Sequence, residues 1–360
     1  MNKVLILGAG KIGSTIAKWL NGTGGYDVLI ADLDQKALDR LPNLKTALLK
    51  PDNLEPLFEG RSALISALPY SENDKAMQWA LHFKTSYFDL SEDVENTAKC
   101  KNYASAYATD GQIFMPQCGL APGFIGILGA SLIRKFDWVE SVKMRVGALP
   151  RHVSTALKYN LSWSTAGLIN EYCNDSEAIV NRKLVRLPSL DGMEHFSVDG
   201  VEYEAFHTSG GLGTLCETFK NKVRNMDYKT ARYPGHRDLM HFLIHGLGFI
   251  KRRQELEYLF NREVPLTKQD QVLVYCSAIG QKDGQLIELT DVRKINHRVM
   301  FGEDWSAIQL TTAAGMCTAV DLHFSGKLPS KGFVRQEDIK LEDFLANRFG
   351  SIYSDFNEVA

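Results

Sequence analysis

Residues 4–13 read Val-Leu-Ile-Leu-Gly-Ala-Gly-Lys-Ile-Gly (VLILGAGKIG), and this stretch decides the fold. The apolar run Lys3 to Leu7 has the length of one buried parallel strand. It leads directly into Gly8-Ala9-Gly10-Lys11-Ile12-Gly13, a G-x-G-x-x-G that opens a helical pattern carrying Ala17, Trp19 and Leu20. In that context each glycine has a physical job. Gly8 permits the tight turn out of the strand, Gly10 lets a pyrophosphate approach the backbone, and Gly13 allows close helix–strand packing. The free N–H groups of the helix start, around Lys11 and Ile12, then face anionic phosphates.

The next strand reads Tyr26 to Ala31, and Asp32 stands at its end, nineteen residues after Gly13. A carboxylate there accepts hydrogen bonds from the adenosine ribose hydroxyls, whereas a 2′-phosphate meets like charge. Leu33-Asp34-Gln35 supplies no arginine to neutralise such a phosphate, so NAD is expected over NADP. A plain structural alternative is that Asp32 caps the helix starting near Gln35.

Strands and helices alternate onward from this point in the manner of a doubly wound sheet. Further strands are expected over Leu44 to Leu49, Arg61 to Leu68, Ser86 to Leu90 and Gln112 to Cys118. Helical stretches run from Glu72 to Phe83 and from Asp93 to Ala108. After Pro122 the pattern changes. Gly123 to Lys135 reads as a helix, Val139 to Leu149 as a strand, and Gln271 to Ile279 with Leu286 to Arg293 as a hairpin joined through Gly280 to Gln285. Thr311 to Phe324 is a small-residue-rich helix. The expected fold is α/β: a Rossmann-like doubly wound parallel sheet with an inserted α+β substrate and dimerisation domain. Residues 1–121 form the dinucleotide-binding domain, completed by 302–360, and 122–301 form the insertion.

Composition narrows the function. Among 360 residues, 41 basic and 43 acidic side chains nearly balance, so no bulk field points to nucleic acid or a membrane surface. Apolar stretches such as Phe124 to Ile133 are too short to span a bilayer. The chain runs from Met1 straight into a strand with no signal-peptide pattern, which gives a cytoplasmic expectation. The six cysteines form no C-x-x-C, and no metal site is expected.

Ligands of such a fold sit at strand ends. Three loops qualify: Ser66-Ala67-Leu68-Pro69-Tyr70, Asp89-Leu90-Ser91-Glu92, and Cys118 to Gly123. Ser66 and Ala67, with Leu68 beside them, are small enough for a nicotinamide ribose to lie against the backbone. Tyr70, Asp89 and Cys118 are candidates for the chemistry. Their structural alternatives are a half-buried aromatic, a cap for a helix near Ser91, and a core thiol. In the insertion, His207, Thr208 and Ser209 lead into a glycine cluster suited to a polar ligand, and Arg232 offers a planar fork for a carboxylate. A lone arginine is otherwise a solvated surface group.

Taken together, these segments resemble the saccharopine dehydrogenase family, and within it the lysine 6-dehydrogenase type. The resemblance rests on VLILGAGKIG, ISALPY (65–70), YFDLSED (87–93), QCGLAPGF (117–124), WSTAGLINEYCN (163–174), EAFHTSGGLGTL (204–215) and YKTARYPGH (228–236). It implies a Rossmann-like nucleotide domain, an inserted α+β domain, and hydride transfer at a C–N bond of an amino acid. It also implies that Tyr70, Asp89 and Cys118 surround nicotinamide and substrate, with His207, Thr208, Ser209 and Arg232 facing them from the inserted domain. His207 and Asp89 are the candidate acid–base groups. The glutamate-forming type carries a basic or hydroxylated residue in place of Asp32, from which this chain departs. Expected partners are therefore NAD, a small amino-acid substrate, and a second copy of the chain in a homodimer or larger homo-oligomer. Two alternatives stay open: a carboxynorspermidine-type reductase of the same fold, and a non-catalytic NAD-binding protein.

Overall fold

The computed structural model describes residues 1–354, which divide into two compact units. The first comprises 1–124 and 309–354, the second 125–308.

The first unit is built on a fully parallel sheet. Its strands are β1 (Asn2–Leu7), β2 (Tyr26–Asp32), β3 (Lys45–Leu48), β4 (Ala63–Ser66), β5 (Ser86–Asp89) and β6 (Ile113–Met115). Their spatial order is β3-β2-β1-β4-β5-β6, with the two-residue strand Gly332–Phe333 added beside β6. The order reverses direction between β1 and β4, and a doubly wound sheet opens its ligand crevice at such a point. Val4, Leu5, Ile6 and Leu7 are all fully buried. Alternation is missing because helices cover both faces of a parallel sheet. Met77, Ala80, Cys100 and Ala104, from the helices Asn73–His82 and Val94–Tyr107, join Leu5, Leu64, Tyr87 and Phe114 in one core. Residues 309–354 return to this unit, where Asp321 accepts a hydrogen bond from the Tyr26 hydroxyl at 2.6 Å.

The helix expected from Thr311 begins earlier, at Ala307. The cause is a buried acid. Asp270 accepts from the Ala307 N–H (2.5 Å) and the Ile308 N–H (3.2 Å), capping the helix from 37 residues away in sequence.

The second unit holds β7 (Trp138–Pro150), β8 (Ser176–Val180), β9 (Lys183–Leu187), β10 (Glu194–Val198), β11 (Val201–His207), β12 (Val223–Arg232), β13 (Asp270–Lys282) and β14 (Gln285–Asn296). The main path is β10-β11-β12-β7-β13-β14, with the β8–β9 hairpin attached to β12. Among these strands only β12 and β7 pair in parallel. The β13–β14 hairpin closes in a two-residue turn, Asp283-Gly284, rather than through the six residues expected. Both residues have positive φ (50° and 75°), as the twist of a tight hairpin favours. One sheet face is covered by a core of Tyr159, Leu168, Tyr172, Phe206, Leu256 and Phe260. On the other face the sheet curls. Lys294 of β14 pairs with Asp199 at 2.8 Å and donates to the Val198 carbonyl at the end of β10.

No helix among the described residues is long and apolar enough to cross a membrane. No group of three His, Cys, Asp or Glu among them could hold a metal ion.

Candidate functional site

In the first unit the glycine turn lies at the C-terminal end of β1. Gly8 takes φ +101°, and a Cβ there would lie 2.7 Å from the Ala67 carbonyl oxygen. A Cβ on Gly13 would lie 1.9 Å from the Gly8 oxygen. Both positions are therefore closed to any other residue. Gly10 differs: nothing lies within 4 Å of where its Cβ would stand. It is the N-cap of the helix Lys11–Gly22, and its side chain position opens onto free space at a helix N-terminus. This is the cradle a pyrophosphate needs.

Asp32 closes the same loop from β2. One carboxylate oxygen accepts from the Ala9 N–H at 2.6 Å and the other from the Asp34 N–H at 2.9 Å. The helix cap proposed as its alternative belongs to Asp34, whose side chain accepts from the Lys36 N–H at 2.9 Å. Asp32 instead ties the end of β2 to the glycine turn, and each oxygen retains a lone pair for a ribose hydroxyl.

The three strand-end loops are also in this unit. Ser66 is buried and donates to Asn73 Oδ1 at 2.7 Å. The Ala67 N–H extends the β1 ladder to the Leu7 carbonyl, and Leu68 is half-buried beside it. Tyr70 is 45% exposed, in a short 3₁₀ turn.

Asp89 is almost wholly buried at the end of β5. It does not cap the following helix, which starts at Val94 and is capped by Asp93. The Asp89 carboxylate accepts from the Ser91 N–H (2.9 Å), the Gln117 N–H (3.1 Å) and the Tyr87 hydroxyl (2.9 Å). Burial pushes its carboxyl up to about 6 although these donors oppose the shift. Cys118 follows on the neighbouring loop, its backbone N–H bonded to the Asp89 carbonyl. Its Sγ donates to the Met115 carbonyl (3.1 Å) and receives the Gln336 amide (3.1 Å), and burial pushes the thiol well above its ordinary range. A neutral, hydrogen-bonded thiol is neither nucleophile nor base at neutral pH. Tyr87, Gln117 and Gln336 were missed in the sequence. Tyr87 was within reach, since residues two apart on a strand share a face.

The second unit separates residues that the sequence grouped. Cross-strand register pairs His207 with Lys229, Lys229 with Arg145, and Arg145 with Tyr275. Glu204 pairs with Arg232, and Phe206 with Thr230. Alternation along β11 and β12 therefore puts His207 and Lys229 on one face and Thr208, Thr230 and Arg232 on the other. The contacts agree. Thr208 and Thr230 share a hydroxyl–hydroxyl hydrogen bond of 2.7 Å. His207 instead neighbours Asp227, Lys229 and Arg145, and burial holds its imidazole below the ordinary pKa. Ser209, next in the chain, donates its backbone N–H to the Glu171 carbonyl at 3.1 Å.

Arg232 is buried, so the surface alternative for it fails. Its Nε donates to the Tyr172 hydroxyl at 2.9 Å and its Nη1 to the Ala231 carbonyl at 2.9 Å. The guanidinium lies 5.1 Å from the Tyr159 ring centre and 5.8 Å from that of Tyr172. His236 completes the group through Tyr172 at 3.1 Å, and its imidazole is driven down to about 3 by burial and by Arg232. A permanent cation is thus held rigidly by neutral hydrogen-bond acceptors, with the Glu171 carboxylate acting on it through space.

Residues 4–114 match the family description "Saccharopine dehydrogenase NADP binding domain", and residues 119–349 match "Saccharopine dehydrogenase C-terminal domain". The chain belongs to the saccharopine dehydrogenase family. The glycine-rich unit is accordingly its NAD(P)-binding domain. Relatives include the saccharopine dehydrogenase [NADP(+), L-glutamate-forming] of Schizosaccharomyces pombe, 22% identical over 85% of this chain and 72% of the relative. The mitochondrial alpha-aminoadipic semialdehyde synthase of Rattus norvegicus is 23% identical over 69% of this chain, but the match spans only 28% of that longer protein. Among solved structures, the apo saccharopine dehydrogenase (L-Glu forming) of Saccharomyces cerevisiae superposes with a TM-score of 0.75 at 15% identity, covering 96% of each chain. That likeness establishes the shared fold.

Proposed function

We propose that this protein is an NAD(P)-dependent oxidoreductase of an amino-acid-like substrate. More finely, we propose that it uses NAD to oxidise the C–N bond of an amino acid, as lysine 6-dehydrogenase or saccharopine dehydrogenase does. The observation that carries the reading is Asp89, a buried acid held near pH 6 at a strand end of the NAD(P)-binding unit. The Gly10 cradle and the helix start at Lys11 and Ile12 fit a pyrophosphate, and Asp32 fits an unphosphorylated ribose. When bound, the nicotinamide accepts the hydride.

The rest is the work of the chain. A substrate ammonium has no lone pair to assist hydride departure, and a free lysine amine has a pKa near ~10.4. Asp89 is ionised above about pH 6 and takes the proton, while Tyr87 and the Ser91 and Gln117 amides hold its oxygens in place. Arg232 holds the substrate carboxylate. Thr208 is fully buried and bonded to Thr230, and it supports that same sheet face. Cys118 packs beside Asp89 as a neutral thiol, and Tyr70 is the exposed member of the group.

The test is a screen of NAD and NADP reduction at alkaline pH with lysine, saccharopine, ornithine and carboxylated polyamines. Reduction of NAD by an amino acid is the expected result. Turnover only with a carboxylated polyamine would move the reading to the carboxynorspermidine type, and NAD binding without turnover to a non-catalytic protein.

A further inference from the structure

A chain of buried polar side chains leads away from Asp89 in the first unit. The register of β4 on β5 sets Ser66 beside Asp89 and Leu64 beside Tyr87, so Ser66, Tyr87 and Asp89 share one sheet face. The Tyr87 hydroxyl donates to Asp89 Oδ2 at 2.9 Å. The Ser66 hydroxyl is the next hydrogen-bond neighbour of the Tyr87 hydroxyl. Its own hydrogen goes to Asn73 Oδ1 at 2.7 Å. Asn73 stands in the first turn of the helix Asn73–His82. All four residues are exposed by 1% or less, so bulk water does not replace a missing partner.

The two Asp89 oxygens are held differently. Oδ1 accepts from the Ser91 and Gln117 N–H groups. Backbone donors cannot turn, so a proton taken up by this carboxyl belongs on Oδ2. Tyr87 has a single hydroxyl hydrogen, which points to Oδ2 while Asp89 is ionised. Once protonated, Oδ2 donates to the Tyr87 oxygen, and the Tyr87 hydrogen needs another acceptor. Ser66 Oγ is that acceptor, because Asn73 already draws the Ser66 hydrogen away. In turnover one proton moves from the substrate ammonium to Asp89. No O–H bond of Tyr87 or Ser66 breaks; the Tyr87 hydrogen swings from one neighbour to the other. The titratable groups around Asp89 are Tyr87 on its own strand, Glu92 on the following loop, Cys100 on the helix Val94–Tyr107 and Cys118 on the loop after β6. Burial keeps both thiols neutral, and Glu92 acts through space.

We propose that Ser66 and Asn73 are positioning residues that set the proton affinity of Asp89 by giving Tyr87 an acceptor when the acid is protonated. The Ser66 oxygen, oriented by Asn73, stabilises the protonated form, while Tyr87 and the two backbone amides stabilise the ionised one. The acid therefore takes up a proton without leaving a buried hydroxyl hydrogen unpaired. The part this relay plays in turnover rests on the reading of Asp89 as the proton acceptor. Its effect on the titration of Asp89 does not.

The experiment follows the Asp89 carboxyl directly by NMR, in the full chain labelled with ¹³Cγ-aspartate and assigned by the resonance lost in Asp89→Asn. Ser66→Ala should lower its titration midpoint by about 0.5 to 1 pH unit, the worth of one hydrogen bond. Ser66→Thr retains the hydroxyl and should keep the parent midpoint. Asn73→Ala frees the Ser66 hydrogen to turn toward Tyr87 and should lower the midpoint as well, which tests the relay even if Ser66→Ala fails to fold. In the Tyr87→Phe background Ser66→Ala should move the midpoint no further, since its effect passes through the Tyr87 hydroxyl. A midpoint unmoved by Ser66→Ala and Asn73→Ala, or an equal shift in the Tyr87→Phe background, would overturn the proposal. The acid limb of NAD reduction should move with the midpoint. A midpoint that moves while the rate profile stays in place would support the relay and remove Asp89 as the proton acceptor.

Discussion

Replacing Asp89 by asparagine separates the two consequences of burying an acid. Its carboxyl moves from 3.8 to about 6 on folding, mainly through burial. At about 1.4 kcal/mol per pH unit, ionising it in the folded protein costs about 3 kcal/mol more than in the unfolded chain. The sign is fixed by the direction of the shift. Below 3.8 both states are protonated and no penalty exists; above 6 both are ionised and the folded state bears all of it. Stability attributable to Asp89 is therefore lost as pH rises from about 4 to 6. Asparagine keeps the geometry. Its oxygen can take the Ser91 and Gln117 N–H groups, and Tyr87 can turn its hydroxyl to accept from the amide. Urea unfolding at pH 8 should show Asp89→Asn more stable than the parent by up to about 3 kcal/mol. Steady-state NAD reduction by the amino-acid substrate should fall by about 10²- to 10⁴-fold, because the proton acceptor is gone. In the parent, that rate should drop as pH falls through about 6. A variant that is less stable at pH 8, or that keeps the parent's rate and pH profile, would refute the assignment.

Three further outcomes follow from the same geometry. Gly10→Val points into open space and should abolish NAD binding with an unchanged urea midpoint, whereas Gly13→Ala, whose Cβ meets the Gly8 oxygen, should disturb folding itself; calorimetric binding and unfolding curves distinguish the pair. Dissociation constants should show NAD bound more tightly than NADP, with Asp32→Ser narrowing the gap; an NADP preference in the unmutated protein would sink that reading. Arg232→Lys keeps the charge but loses the planar fork, so KM for the amino acid should rise by about 10- to 100-fold with NAD affinity unchanged; parent-like kinetics would remove the substrate anchor.

Local pattern carried the nucleotide unit far. The run into Gly8 and the carboxylate at Asp32 are signals confined to one βαβ stretch, and the parallel strands fall within a few residues of where their apolar runs lie. What stayed hidden depends on residues distant in sequence. Asp89 could be a cap or a buried acid until Tyr87 and Gln117 were seen around it. The earlier start of the helix at Ala307 rests on Asp270, and the thiol of Cys118 is held by Gln336. The grouping of His207 with Arg232 is a different kind of miss. Adjacent residues on a strand point to opposite faces, so His207 and Thr208 were separable before any register was known. In the β13–β14 hairpin, Asp283-Gly284 was a sufficient turn signal that the surrounding glycines and polar residues obscured.

The pairing of β6 with Gly332–Phe333 also bears on how the chain is made. Ile113 meets Gly332, 219 positions further along the chain, and Tyr26 waits for Asp321, Phe324 and Arg348. Ribosomal synthesis delivers six parallel strands first and the pieces that finish their sheet last. Until then β6 presents an unpaired edge, the feature by which sheets recruit the wrong chain. Closing so long a loop as flexible polymer carries an entropic cost that grows with its logarithm. If residues 125–308 fold as a body of their own while the C-terminal segment is still emerging, that flexible span is largely removed. Co-translational folding of the insertion would thus hasten completion of the nucleotide unit, and nascent chains halted before residue 332 would be the aggregation-prone species.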